Sequence, residues 1–142
     1  MIKLSKNFTL EELCASSTAT AKGIKNDPGK AEIVNLTHRA VHVLQPLRDK
    51  MGAITISSGY RSAALNKAVG GVATSQHVKG QAADIAIPSK QVGKVWFSYI
   101  KDYLPFDQLI WEHNSAGTYW IHVSYNKESN RHQVIDNLLK KG

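Results

Sequence analysis

Among 142 residues the chain has a single cysteine, Cys14. An intramolecular disulfide is therefore excluded. Cys14 reads as a small buried residue rather than a nucleophile. No run of 18 apolar residues exists, so no membrane-spanning helix is expected. The opening M-I-K-L-S-K-N-F-T-L-E-E-L lacks the apolar stretch of a secretory signal. The expectation is a protein made in the cytoplasm, reaching any site outside the cell by another route. Acidic residues are few, 11 Asp and Glu against 18 Lys and Arg, for a formal charge of +7. That balance favours a polyanionic neighbour: nucleic acid, anionic lipid, or a cell wall carrying phosphate and carboxylate groups. The basic residues are scattered, clustering only at Lys140 and Lys141, with no arginine-rich run or interleaved aromatic platform. Nucleic acid is therefore not an expected partner. Internal repeats and low-complexity segments are also lacking.

What is present describes an ordinary soluble globular chain, 42% hydrophobic and 20% charged, long enough for one domain over residues 1–142. Thr9 and Glu12 form a capping-box pattern, with Phe8 and Leu13 at hydrophobic-staple positions. The small polar stretch Ser16 to Pro28 reads as a surface loop. From Lys30 to Met51, Ile33, Leu36, Ala40, Val43, Leu44 and Leu47 recur at helical steps, with a kink expected near Gln45 ahead of Pro46. His38 and His42 lie four apart on that helix. No carboxylate accompanies them in the pattern of a helical zinc site, so they read as polar-edge residues. Ala53 to Ser57 alternates as a half-buried strand, Ser62 to Val69 reads as a short helix, and Ile85 to Ile87 as a strand. Ser89 to Tyr103 is amphipathic, with Val92, Val95, Trp96, Tyr99 and Ile100 assigned to its buried side. F-D-Q-L-I-W-E-H and T-Y-W-I-H-V-S-Y around N-S-A-G make a β-hairpin. A turn centred between Ser115 and Ala116 sets Glu112 across from Tyr119 and His113 across from Thr118. His113, Trp120 and His122 then share a face, with Glu112 on the other unless a bulge re-aims it. The tail from about Glu128 to Gly142 has a modest helical pattern. The order of elements indicates an α+β domain: a small, mainly antiparallel sheet backed by helices.

Ser75 to Asp84 reads S-Q-H-V-K-G-Q-A-A-D. An imidazole (His77) and a carboxylate (Asp84) stand seven residues apart, with Gly80, Ala82 and Ala83 between them. Neutral His with Asp is a standard zinc pair at about 2.0–2.3 Å from the ion. Small intervening residues let the backbone turn so that both donors face one point. A third donor has to come from elsewhere.

This segment resembles, position for position, the S-x-H-x-x-G-x-A-x-D signature of the M15 family of zinc D-Ala-D-Ala peptidases. That family includes D,D-carboxypeptidases, D-Ala-D-Ala dipeptidases and phage endolysins. S-S-G-Y-R-S at Ser57 to Ser62 is similar to its substrate-arginine loop, and W-I-H-V-S from Trp120 to its third-ligand strand. The opening N-F-T-L-E-E-L and D-Q-L-I-W-E from Asp107 resemble the short carboxypeptidase-like members. The resemblance implies Zn2+ held by His77, Asp84 and His122 at the sheet face, and Arg61 as anchor for a substrate carboxylate. Two imidazoles and one carboxylate leave a fourth position to water, as catalytic rather than structural zinc sites do.

Many family members carry an acidic residue three positions before the third ligand, where this chain has Tyr119. Glu112 is the favoured general base, with His113 second and a water-only or distant base third. Ser75 is expected to offer a hydroxyl to substrate or to a neighbouring backbone group. Asp107 and Gln108 are expected to orient a ligand imidazole, and Trp111 or Trp120 to line the cleft or pack in the core. The resulting expectation is a monomeric zinc metallopeptidase cutting peptide bonds of peptidoglycan. It would act at the cell wall after release, as a phage or prophage lysis protein, or as part of a virion. A non-catalytic zinc-stabilised module binding peptidoglycan or a protein is the alternative.

Overall fold

The computed structural model describes residues 2–136. The chain enters through a helix α1 (Leu10–Cys14), whose N-cap Thr9 accepts from the Glu12 N–H at 3.1 Å. Phe8 and Leu13 are both buried beneath it. A second helix, α2 (Ser17–Lys22), occupies the stretch expected to be a loop. Ser16 caps its start and Gly23, at φ 64°, ends it in the left-handed conformation, so local capping outweighs the weak apolar pattern.

The long helix runs as α3 (Lys30–Arg39), a π-helical turn (Ala40–Leu44) and α4 (Gln45–Met51). The break expected near Gln45 is a widening instead. Proline lacks an N–H at position 46, and just before it the Gln45 N–H bonds the Ala40 carbonyl, five residues back. Next come β1 (Thr55–Ser58), α5 (Ala63–Ala68), β2 (Ala82–Ala86) and α6 (Lys90–Tyr103). The hairpin strands β3 (Gln108–His113) and β4 (Tyr119–Ser124) follow, then β5 (Gln133–Asp136). The tail thus forms a strand where a helical pattern was read, because β3 offers an open edge for parallel pairing. Residues 137–142 of that tail lie outside the described residues.

The five strands form one sheet in the order β1-β2-β4-β3-β5, antiparallel except for β3 with β5. Successive side chains alternate between its faces. Ala83, Ile85, Leu109, Trp111, Ile121 and Val123 point one way, into a core shared with Leu36, Val43, Leu44, Leu47, Phe97 and Ile100 of the helices. On α6 the buried stripe is Gly93, Trp96, Phe97 and Ile100. Val92 and Val95, expected inside, face out, at 37% and 57% exposure. The inward position 93 requires glycine, because a Cβ there would stand 2.7 Å from Ile87 Cδ1 and 2.9 Å from the Trp111 ring.

The opposite face carries Asp84 from β2, Ile110 and Glu112 from β3, and Trp120 and His122 from β4. The hairpin register differs by one residue from the expected one: Glu112 pairs with Trp120 and His113 with Tyr119. The connection spans an odd number of residues. Asn114 Oδ1 accepts from the Ala116 and Thr118 N–H groups at 3.0 Å, and Gly117 takes φ 85°. A one-residue slip reverses which face each side chain occupies. Glu112 therefore shares the face of His122, and His113 lies on the other.

Candidate metal centre

Three elements bring the candidate donors together. His77 sits on the loop before β2, wedged beside the turn that follows β1. Its Nδ1 lies 2.7 Å from the Gly59 carbonyl oxygen. A carbonyl only accepts, so Nδ1 carries the proton and the Nε2 lone pair is directed into the site. Position 59 requires glycine because the backbone there lies against that of Leu13, which a Cβ would strike. Asp84 lies inside β2, which begins at Ala82, three residues ahead of the Ile85 start expected from the sequence pattern. Directly across the ladder on β4 stands His122. Asp84 Oδ1 lies 3.4 Å from His77 Nε2 and 3.1 Å from His122 Nδ1. The three donor atoms are all within 4.8 Å of one another.

Burial pushes the Asp84 carboxyl up, but the hydrogen bonds and charges of His122 and His77 outweigh it and hold the carboxyl well below its usual range. It is an anionic donor at neutral pH. Two imidazole nitrogens and a carboxylate oxygen at these separations fit a divalent ion of zinc type.

Arg61 borders the cluster, its Nη2 lying 3.8 Å from Asp84 Oδ2. Its fork is fixed from behind: Nη1 donates to Asn66 Oδ1 at 3.0 Å and Nε to Ser58 Oγ at 3.3 Å. Its backbone N–H donates to the His77 carbonyl at 3.1 Å. Burial lowers the guanidinium's pKa and Asp84 partly opposes that; it remains a cation. Ser75 Oγ accepts from the His77 N–H at 3.2 Å and so braces the loop.

The remaining candidates are distributed differently from the expectation. Glu112 is partly exposed on the site face, across from Trp120 and diagonal to His122. Its strand neighbour His113 is exposed on the helix side, with its ring 5.4 Å from Tyr119. Tyr119 also faces away from the cluster, under Lys90 Nζ at 4.0 Å from the ring centroid. A side chain at position 119 is therefore directed off the site face in this chain. Trp111 is core, edge-to-face with Phe97 at 5.8 Å, whereas Trp120 is half-buried on the site face. Asp107 and Gln108 bond no imidazole of the site: Asp107 holds Gln76 and Arg131, and Gln108 holds Gln133. His38 and His42 stack with Tyr125, at 5.7 Å from each other and 4.9 Å from His42 to Tyr125.

Several supports carried no sequence signal, being a backbone carbonyl (Gly59) and buried polar residues on separate elements (Asn66, Arg39). Arg39, wholly buried, donates from Nη1 to the carbonyl of Ala82 at the start of β2.

A mixed α+β fold carrying a His-Asp-His cluster on one sheet face, beside a fixed guanidinium, is compatible with a metal-dependent hydrolase. The family model for Peptidase M15 matches residues 6–124. The chain belongs to the M15 peptidases, a family of metallopeptidases. No curated protein matches the chain.

Proposed function

We propose that the protein is a zinc peptidase that hydrolyses peptide bonds in bacterial peptidoglycan, of D,D-carboxypeptidase or endopeptidase type, working as one unit over residues 1–142. The observation that carries this reading is the convergence of His77 Nε2, Asp84 Oδ1 and His122 Nδ1 beside a fixed guanidinium. When bound there, zinc supplies Lewis acidity for the scissile carbonyl and brings the pKa of water down toward about 7. Arg61 receives a substrate carboxylate through two parallel hydrogen bonds and orients the peptide across the sheet face. Glu112 accepts a proton from the attacking water and returns it to the leaving amine. Trp120 walls the cleft beside it. Positive charge favours approach to an anionic wall, which the monomer reaches after release or as part of a virion.

The test is mass spectrometry of muropeptides after incubation with zinc-loaded protein. Shortened or uncoupled stem peptides are expected. Glu112→Gln should lower turnover by about 10²–10⁴-fold with zinc still bound, and His113→Ala should leave it within about twofold. Zinc binding without cleavage by the unaltered protein would move the reading to a zinc-stabilised binding module.

A further inference from the structure

The loop that presents His77 is short and closed mostly on itself. The Val78 N–H bonds the Ser75 carbonyl at 3.1 Å, and the Gly80 N–H bonds the His77 carbonyl at 3.2 Å. Something outside the loop must fix its position over the sheet. The side chain of Gln76, next to His77, leads to that support. Its Nε2 donates to Asp107 Oδ2 at 2.8 Å and to Gln81 Oε1 at 3.2 Å, while the backbone carbonyl of Gln76 accepts from the Gln81 and Ala82 N–H groups.

Asp107 is 2% exposed, and both of its oxygens are in use. Oδ1 accepts from the Arg131 backbone N–H and from Arg131 Nε, each at 2.9 Å. Oδ2 accepts from Arg131 Nη2 at 2.8 Å as well as from Gln76. The strap that carries Arg131, residues 125–132 ahead of β5, is stitched with the first residue of β5 to the entry of β3 by backbone bonds: His132 N–H to the Phe106 carbonyl at 3.1 Å, and Gln133 N–H to the Asp107 carbonyl at 2.9 Å. One buried carboxylate thus joins three segments of chain: the His77 loop, the entry to β3, and the strap before β5. Arg131 lies past residue 124, where the family match ends.

We propose that Asp107 and Arg131 are positioning residues for the metal centre, the strap acting through Gln76 to hold His77 in register with Asp84 and His122. The proposal rests on the reading of His77 as a metal ligand. A buried carboxylate needs its charge partners. Without Arg131, Asp107 would be left with the Gln76 amide and would draw in water or a proton, and the anchor of the loop would slacken. Partners that hydrogen-bond a metal ligand directly govern its affinity by about 10–100-fold, and a support acting through the neighbouring residue belongs at the lower end of that range.

The experiment measures zinc affinity of the full chain by competition with a chromophoric chelator, with the visible absorption of the cobalt-substituted protein as a second readout. Gln76→Ala is the decisive variant, because it cuts the link to the loop while leaving the Arg131–Asp107 pair in place. Gln76→Ala and Arg131→Ala should each weaken zinc by about tenfold and shift the cobalt spectrum. The double variant should be no weaker than the worse single one, since both interrupt one chain of contacts. Arg131→Lys should recover part of the loss, as a point charge without the fork. Unchanged metal affinity in Gln76→Ala overturns the proposal, as does full additivity of the two substitutions. Failure of the unaltered protein to bind zinc at all removes the ligand assignment itself, and this proposal with it.

Discussion

The Arg61 side chain shows how much a single position depends on its neighbours. Ser58 and Asn66 hold its Nε and Nη1, and its backbone N–H holds the His77 carbonyl, so the guanidinium proposed to receive substrate and a candidate metal donor are tied to one another. Arg61→Lys keeps the charge but loses the bidentate geometry. For substrates ending in a free carboxylate, it should raise KM by about tenfold, or roughly 1.4 kcal/mol, with zinc affinity unchanged. Steady-state kinetics beside a chelator titration checks this. Glu112 makes the complementary point. Its chemistry is plain in the sequence, but its face is not, since one extra residue in the Asn114–Thr118 connection reverses it. The expected register divided the sequence correctly into two strands and mis-set the parity, because the Asn114 side chain and the positive φ of Gly117 decide how many residues the turn consumes.

Among the elements, the His77 loop is held against α3 at Gly80. Gly80 has φ 76°, and a Cβ there would stand 2.6 Å from the Glu32 carbonyl oxygen of α3. Gly80→Ala should therefore cost about 1–3 kcal/mol, read as a lowered urea midpoint, together with weakened zinc binding. The glycine of the motif serves helix contact as well as turn geometry. The strap that meets this loop carries a pH signature. Hydrogen bonds from Arg131 lower the Asp107 carboxyl from 3.8 to about 2, against the opposing effect of burial. A carboxyl lowered on folding stabilises the fold above its unfolded value and loses that contribution as pH falls through the folded one. The melting temperature should fall between about pH 4 and pH 2. Asp107→Asn should be less stable at pH 7 and show a shallower fall over that window in thermal scans. Capping logic also explains α2, which Ser16 and Gly23 delimit although its apolar content is low.

For the molecule as a whole, the sheet separates two tasks. One face supplies the core with Ile85, Leu109, Trp111, Ile121 and Val123, and the other holds the donor cluster. The donors come from a loop and two strands distant in sequence, so a bound ion links parts of the chain that unfolding would separate. Zinc at about 100 times its Kd should stabilise the folded state by roughly 2.7 kcal/mol, seen as a raised melting temperature that EDTA reverses. His122→Ala should abolish the shift, because two remaining donors hold zinc far more weakly.

The sequence by itself determined the long helices, the hairpin, the mainly antiparallel sheet and the His77–Asp84 pair, while His122 as the third side chain followed from the resemblance to a family. Those features follow from local periodicity and from a spaced motif whose residue types have few other uses together. Tertiary structure alone decided which face Glu112 occupies, that Val92 and Val95 point outward, that the tail adds a parallel strand, and that Arg131 reaches the His77 loop through Asp107 and Gln76. Each of these depends on what stands opposite a residue in space, and neither side-chain period nor composition encodes that.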